Sequence, residues 1–211
     1  MNKGRLESFT DGVFAIAITL LVLTITPVAD YQHLGHELAK RWPSLAAYVV
    51  SFAIIGIMWL NHHSIFAHIA SADRGLVILN LTLLLTVAFL PFPTGIFGEA
   101  LHRDQGARVA AVLYSATMAL NAYAWAALWL HASVGRRLLV PAFPEAQRRS
   151  ATLAFTGGTV AYTIILGVAF INAYACLALH GLMALYYALD PLTRRAARQA
   201  PAAAPADDPA G

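Results

Sequence analysis

Long apolar runs separated by short polar breaks set the pattern of this chain. The first run begins polar, Arg5-Leu6-Glu7-Ser8, and then stays apolar to Ile25, so residues 5–28 are predicted as a helix ending at Pro27. About twenty apolar residues suffice to cross a bilayer. Further runs predict helices over 44–66, 107–131, 151–170 and 173–189. The third run, from residue 76, meets Pro91-Phe92-Pro93, and we expect it to bend there and continue to residue 99. Prolines are tolerated inside bundles because neighbours satisfy the freed carbonyls. The expectation is an all-α membrane protein with six transmembrane helices per chain, a channel-like domain over 1–190, and an Ala/Pro/Asp-rich cytoplasmic tail over 191–211, expected to be disordered.

Composition agrees with that pattern. The chain is 59% hydrophobic and 12% charged, about half the charged fraction of a soluble domain. The sequence pI of about 9.2 does not argue for nucleic acid, because the cations lie between apolar runs as topology signals do. With six spans, ten Lys and Arg fall on the side of the N-terminus and four on the other. The positive-inside rule then places both termini in the cytoplasm. The single Cys176 excludes an intrachain disulfide and cysteine-rich zinc sites. Glu7 and Asp11 are foreign to a signal peptide, so the first run is read as a retained span.

Candidate chemistry concentrates in the first two runs. Ile16, Leu20 and Leu23 are spaced four and then three apart and share one helical stripe, which Thr19 borders. Copies of such a stripe around an axis would stack apolar rings able to close a pore by dewetting. The same spacing is what any buried helix shows. Asp11 lies near one membrane face, where an ionised side chain needs a partner or water. Arg5 is six residues away on another face, so each is expected to bond to another helix. The second run carries Trp59-Leu60-Asn61-His62-His63. The two adjacent histidines point about 100° apart, a poor metal pair, and one of them is placed to reach Asp11 if the helices pack together. Asn80 and Asn121 read as interhelical glue. Tyr123, Trp125 and Trp129 read as an interfacial belt. Gly157-Gly158 reads as a close approach to a neighbouring helix.

Arg5-x-x-x-Phe9-Thr10-Asp11 and the apolar run after it resemble the R-x-x-x-F-S-D signature of the transmembrane protein 175 potassium-channel family. Trp59 to Phe66 is similar to that family's W-x-x-H-H-x-x-F stretch, and Leu90-Pro91-Phe92-Pro93-Thr94 to its P-F-x-T stretch. The likeness covers about the first hundred residues; later helices match in number and length. The resemblance implies a homotetrameric, single-repeat prokaryotic channel in the plasma membrane, conducting potassium, with other monovalent cations as candidate permeants, and neither an enzyme nor dependent on a cofactor or resident metal. It implies a pore lined by the first helix, narrowest at Ile16, with Leu20 and Leu23 as further apolar rings and Thr19 tied to selectivity. It also implies a network around the signature: Arg5, Phe9, Thr10, Asp11, Trp59, His62 and His63. Thr10 stands where the family has serine, keeping the hydroxyl and adding a methyl. A proton-coupled transporter using Asp11 and a second-helix histidine is the alternative. A membrane-embedded enzyme built on the same residues would lack a visible nucleophile or complete metal shell.

Overall fold

The computed structural model describes residues 2–28 and 31–189. The tail over 191–211 lies outside the described residues. The described chain is helical: α1 (Lys3–Leu20), a 3₁₀ turn (Leu21–Thr24), α2 (Leu34–Lys40), α3 (Trp42–Ala67), α4 (Arg74–Phe89), α5 (Pro91–Arg103), α6 (Ala107–Ser133), α7 (Glu145–Ala169) and α8 (Ala173–Leu189). Six apolar crossings result. Five are long enough to span, counting α1 with its 3₁₀ turn and α4 with α5, and the shorter α8 is the sixth.

Each departure from the sequence expectation has a local cause. The first span is α-helical only to Leu20, not to residue 28. Pro27 disfavours helical geometry at Thr26, and the chain tightens into a 3₁₀ turn in which Ile25 N–H bonds to the Val22 carbonyl. The connection read as merely polar contains the short helix α2. The third run breaks at Leu90 as expected and runs on to Arg103; Pro91 and Pro93 lack N–H donors, and Leu90 N–H turns to the Val87 carbonyl.

α6 is the hub, packing against α4, α5, α7 and α8. Its buried alanines, among them Ala110, Ala111, Ala119 and Ala122, let neighbouring backbones approach closely. Trp125 and Trp129 are buried at 6% and 2% exposure, which corrects the interfacial-belt reading. Trp125 stacks on Phe155 of α7, and Trp129 Nε1 donates to Thr152 Oγ1. Tyr123 does stay exposed. A Cβ on Gly158 would lie 2.5 Å from the Tyr187 hydroxyl of α8, whereas Gly157 faces open space. Asn121 bridges α6 to α4 through Thr86 Oγ1.

Backbone pairing sorts the connections onto two sides. On one side the 138–140 stretch pairs with 68–70, through Ala70 N–H to Leu138 O and Val140 N–H to His68 O. Asp73 caps α4 there, accepting from Leu76 N–H at 2.7 Å and from His131 Nε2 at 2.9 Å. Those bonds, with the Arg137 charge nearby, hold its carboxyl below the usual range. On the opposite side the extended stretch after the 3₁₀ turn is held by three bonds. Arg41 Nη1 donates to Thr26 O, Thr26 Oγ1 to Glu99 Oε2, and Arg103 Nε to Glu99 Oε1.

Candidate functional site: the outward face of the first helix

The signature stretch folds as one helix with two opposed faces. Leu6, Thr10, Phe14, Ala17 and Leu21 recur every three or four residues and are buried. They seat α1 against α3 and α4. Phe9, Gly12, Ile16, Thr19, Leu20 and Leu23 recur with the same period on the other side and are exposed. Ile16 is 61% and Leu23 76% exposed, while Phe14 and Ala17 beside them are at 2% and 1%. The sequence ambiguity is therefore resolved for this chain alone: the stripe is not part of the protomer's own core.

The 3₁₀ turn changes the geometry of that stripe. A 3₁₀ helix has three residues per turn, so side chains at i and i+3 eclipse. Leu20 and Leu23 thus stand almost in line, separated by about 6 Å rather than about 4.5 Å. Thr19 sits between Ile16 and Leu20, and its Oγ1 lies 2.9 Å from both the Ala15 and Ile16 carbonyls. The hydroxyl proton is spent on its own backbone. Its lone pairs are left facing outward.

A polar relay fixes the rotation of α1. Asn80 of α4 donates through Nδ2 to Thr10 Oγ1 at 2.8 Å, and its Oδ1 lies 2.9 Å from His62 Nε2 of α3. Asn80 and Thr10 are fully buried and His62 is 1% exposed. His62 also stacks on Phe66 and lies against Phe14. Asp11, one residue on, turns toward α3 and accepts from Trp59 Nε1 at 2.9 Å. His62 thus reaches Thr10 through Asn80, not Asp11. The Thr10 methyl is accommodated within the core. Phe9 lies outside these bonds on the exposed face, and Arg5 is likewise exposed, its side chain bonded to no other described residue of its chain. His63 is exposed and only approaches the Trp59 ring, at 6.4 Å between centroids.

Sequence reasoning left Asn80 out of this relay. The signal was present, because a lone carboxamide in the middle of an apolar run must find a partner. It also missed the Arg41–Thr26–Glu99 latch, which only the fold brings together. Among the described residues, no three His, Cys, Asp or Glu are grouped to hold a metal ion.

The fold and this face define a multi-pass helical membrane protein whose first helix turns an apolar stripe away from its own core. Residues 5–91 match the family described as endosomal/lysosomal potassium channel TMEM175. A potassium channel of Streptomyces collinus is 47% identical over 203 residues, covering 93% of this chain and 98% of that protein. A potassium channel of Chamaesiphon minutus is 38% identical over 192 residues, covering 89% and 94%. The crystal structure of a lysosomal potassium-selective channel TMEM175 homolog from the same organism superposes with a TM-score of 0.79 at 36% identity, covering 89% of this chain and 96% of that one. The chain belongs to the TMEM175 family, a family of ion channels and not an enzyme class.

Proposed function

We propose that the chain is a potassium-permeable leak channel assembled from four copies around an axis that the α1 stripes line. The observation that carries this reading is the division of α1. Its Thr10 face is locked into the protomer, while Ile16, Leu20 and Leu23 project outward at 61%, 42% and 76% exposure. Relatives named potassium channels that span nearly the whole chain support the ion.

Ile16 forms the narrowest ring, with Leu20 and Leu23 stacked beyond it. Such rings offer a hydrated cation no ligands and empty of water when narrow. Thr19 places a ring of hydroxyl oxygens between them. With its proton turned to the backbone, each oxygen presents lone pairs, which suit a potassium ion losing part of its hydration. The Thr10–Asn80–His62 and Asp11–Trp59 bonds set the azimuth that aims Ile16 at the axis, and Arg5, Phe9 and His63 complete the network from neighbouring copies. The protein lies in a prokaryotic plasma membrane with both termini cytoplasmic, because ten basic residues against four flank that side.

The test is electrical and hydrodynamic. Purified protein in potassium-loaded vesicles is expected to give ohmic unitary currents, and its detergent complex the mass of four chains. A monomeric mass would overturn the reading, since one such helix encloses no pore. A saturable flux with fixed proton stoichiometry would instead establish coupled transport through Asp11 and a second-helix histidine.

A further inference from the structure

The stripe on α1 is long, and the bonds described so far hold it near its N-terminal end. Thr10 is tied to Asn80 and Asp11 to Trp59. From Thr10 to Leu20 the α-helix rises about 15 Å, and the 3₁₀ turn adds about 6 Å to Leu23. A tilt of about 5° pivoting at Thr10 would move Leu23 by about 2 Å. Past the turn the backbone gives little help. Ile25 N–H still bonds to the Val22 carbonyl, and Pro27 has no N–H to offer. A stripe that meets copies of itself at a fixed spacing needs a second anchor beyond Leu23.

Residues distant in sequence supply one, and they grip Thr26 at two atoms. Its carbonyl accepts from Arg41 Nη1 at 2.7 Å, and its Oγ1 donates to Glu99 Oε2 at 3.1 Å. Arg41 sits between α2 and α3 and is only 9% exposed. A guanidinium shut away from water depends on the acceptors it finds. Its Nε is buried with no partner among the described residues, so the Thr26 carbonyl matters the more to it. Glu99 is steadied in turn by Arg103 Nε, one turn along α5.

Close packing brings the two grips to one residue. A Cβ on Gly98 would lie 2.9 Å from Ser44 Cα, and one on Gly95 2.9 Å from Thr24 Cβ. Ser44 Oγ donates to the Gly98 carbonyl at 2.9 Å. The start of α3, just after Arg41, is thereby fixed against α5, just before Glu99.

We propose that Arg41 and Glu99 are positioning residues for the far end of the pore stripe. They clamp Thr26 and so hold Leu23, three residues before it, at the spacing its apolar ring requires. The proposal rests on the reading of α1 as the pore lining. Neither side chain acts by touching an ion: Arg41 is buried and cationic, and Glu99 spends one oxygen on Thr26 and the other on Arg103.

Thr26→Val is the sharpest test, because it removes the Glu99 bond, keeps the shape and alters no charge. Hydrogen exchange of the purified protein in micelles is read by mass spectrometry. Exchange at residues 21–26 is expected to quicken about tenfold in Thr26→Val and in Arg41→Met, with residues 10–17 unchanged. Thr26→Ser loses the methyl but keeps the hydroxyl, and is expected to exchange as the parent does. A purely steric role for Thr26 predicts the reverse order of the Val and Ser variants and would overturn the proposal. In potassium-loaded vesicles Thr26→Val and Arg41→Met are expected to raise flux, because a loosened apolar ring admits water more readily. Thr26→Ser is expected to leave flux unchanged. Parent-like exchange over 21–26 in Thr26→Val, or quickened exchange with flux unchanged in a conducting protein, would overturn the proposal. A parent that passes no current would overturn the pore reading itself, and the exchange measurement tells the two failures apart because it needs no current.

Discussion

Replacing Asn80 by leucine tests whether the relay under the first helix is an energetic unit. Leucine keeps approximately the volume of the carboxamide but can neither donate to Thr10 nor meet His62. Interhelical hydrogen bonds in membrane bundles average about 0.6 kcal/mol and reach about 1.7 kcal/mol. A buried group left without a partner costs about 1–3 kcal/mol. Two bonds are lost here, at 2.8 and 2.9 Å, and both stranded partners are buried. Asn80→Leu should therefore destabilise by about 2–3 kcal/mol, and Thr10→Val, which strands only the Asn80 amide, by about 1 kcal/mol. The two residues touch, so the double variant should fall short of the sum by about 0.6–1.7 kcal/mol. Reversible unfolding in mixed detergent micelles, followed by tryptophan emission, measures all four proteins. Effects that add within about 0.3 kcal/mol would refute the relay, because independent sites add and bonded ones do not.

Three further substitutions probe local packing and capping. A Cβ at Gly95 would lie 2.9 Å from Thr24 Cβ, so Gly95→Ala should cost about 1–3 kcal/mol and alter potassium flux by displacing the turn that carries Leu23. Gly157→Ala, facing open space, should instead raise the unfolding midpoint slightly, as Gly→Ala does in a helix. Asp73 is held below its ordinary value by Leu76 N–H, by His131 and by the Arg137 charge. A depressed carboxyl stabilises above its unfolded pKa, and that stabilisation is lost as pH falls through the folded one. The parent should thus melt above Asp73→Asn near neutral pH and converge with it below about pH 4; a gap unchanged by pH would remove Asp73 as an ionised cap.

The sequence made much of this fold legible because bilayer length and helical period act locally. Six runs and the break at Pro91 follow from neighbours along the chain, whereas the outward turn of the stripe through Ile16 and Leu23 does not, because a buried helix shows the same spacing. The signature was legible as a pattern but not as an arrangement. Arg5, Phe9, Thr10 and Asp11 lie within two turns of one helix and point to different surroundings. Which of them meets Asn80, Trp59 or no residue of its own protomer depends on how α3 and α4 are set. The tryptophans of α6 were misplaced for a related reason. An amphipathic ring suits an interface, but Trp129 found its partner in Thr152 of α7, and Trp125 found a stacking face in Phe155. Neither partner is visible until α6 and α7 pack.

The most direct measurement of the central claim is Ile16→Cys, since the native Cys176 is buried. Four stripes meeting at an axis require that this thiol form disulfides between subunits under mild oxidation. They also require that a thiol-reactive cation abolish potassium flux through the variant while leaving the parent conducting. Quantitative modification of the cysteine with undiminished flux, and no cross-linked dimer, would contradict the claim and place Ile16 against lipid instead.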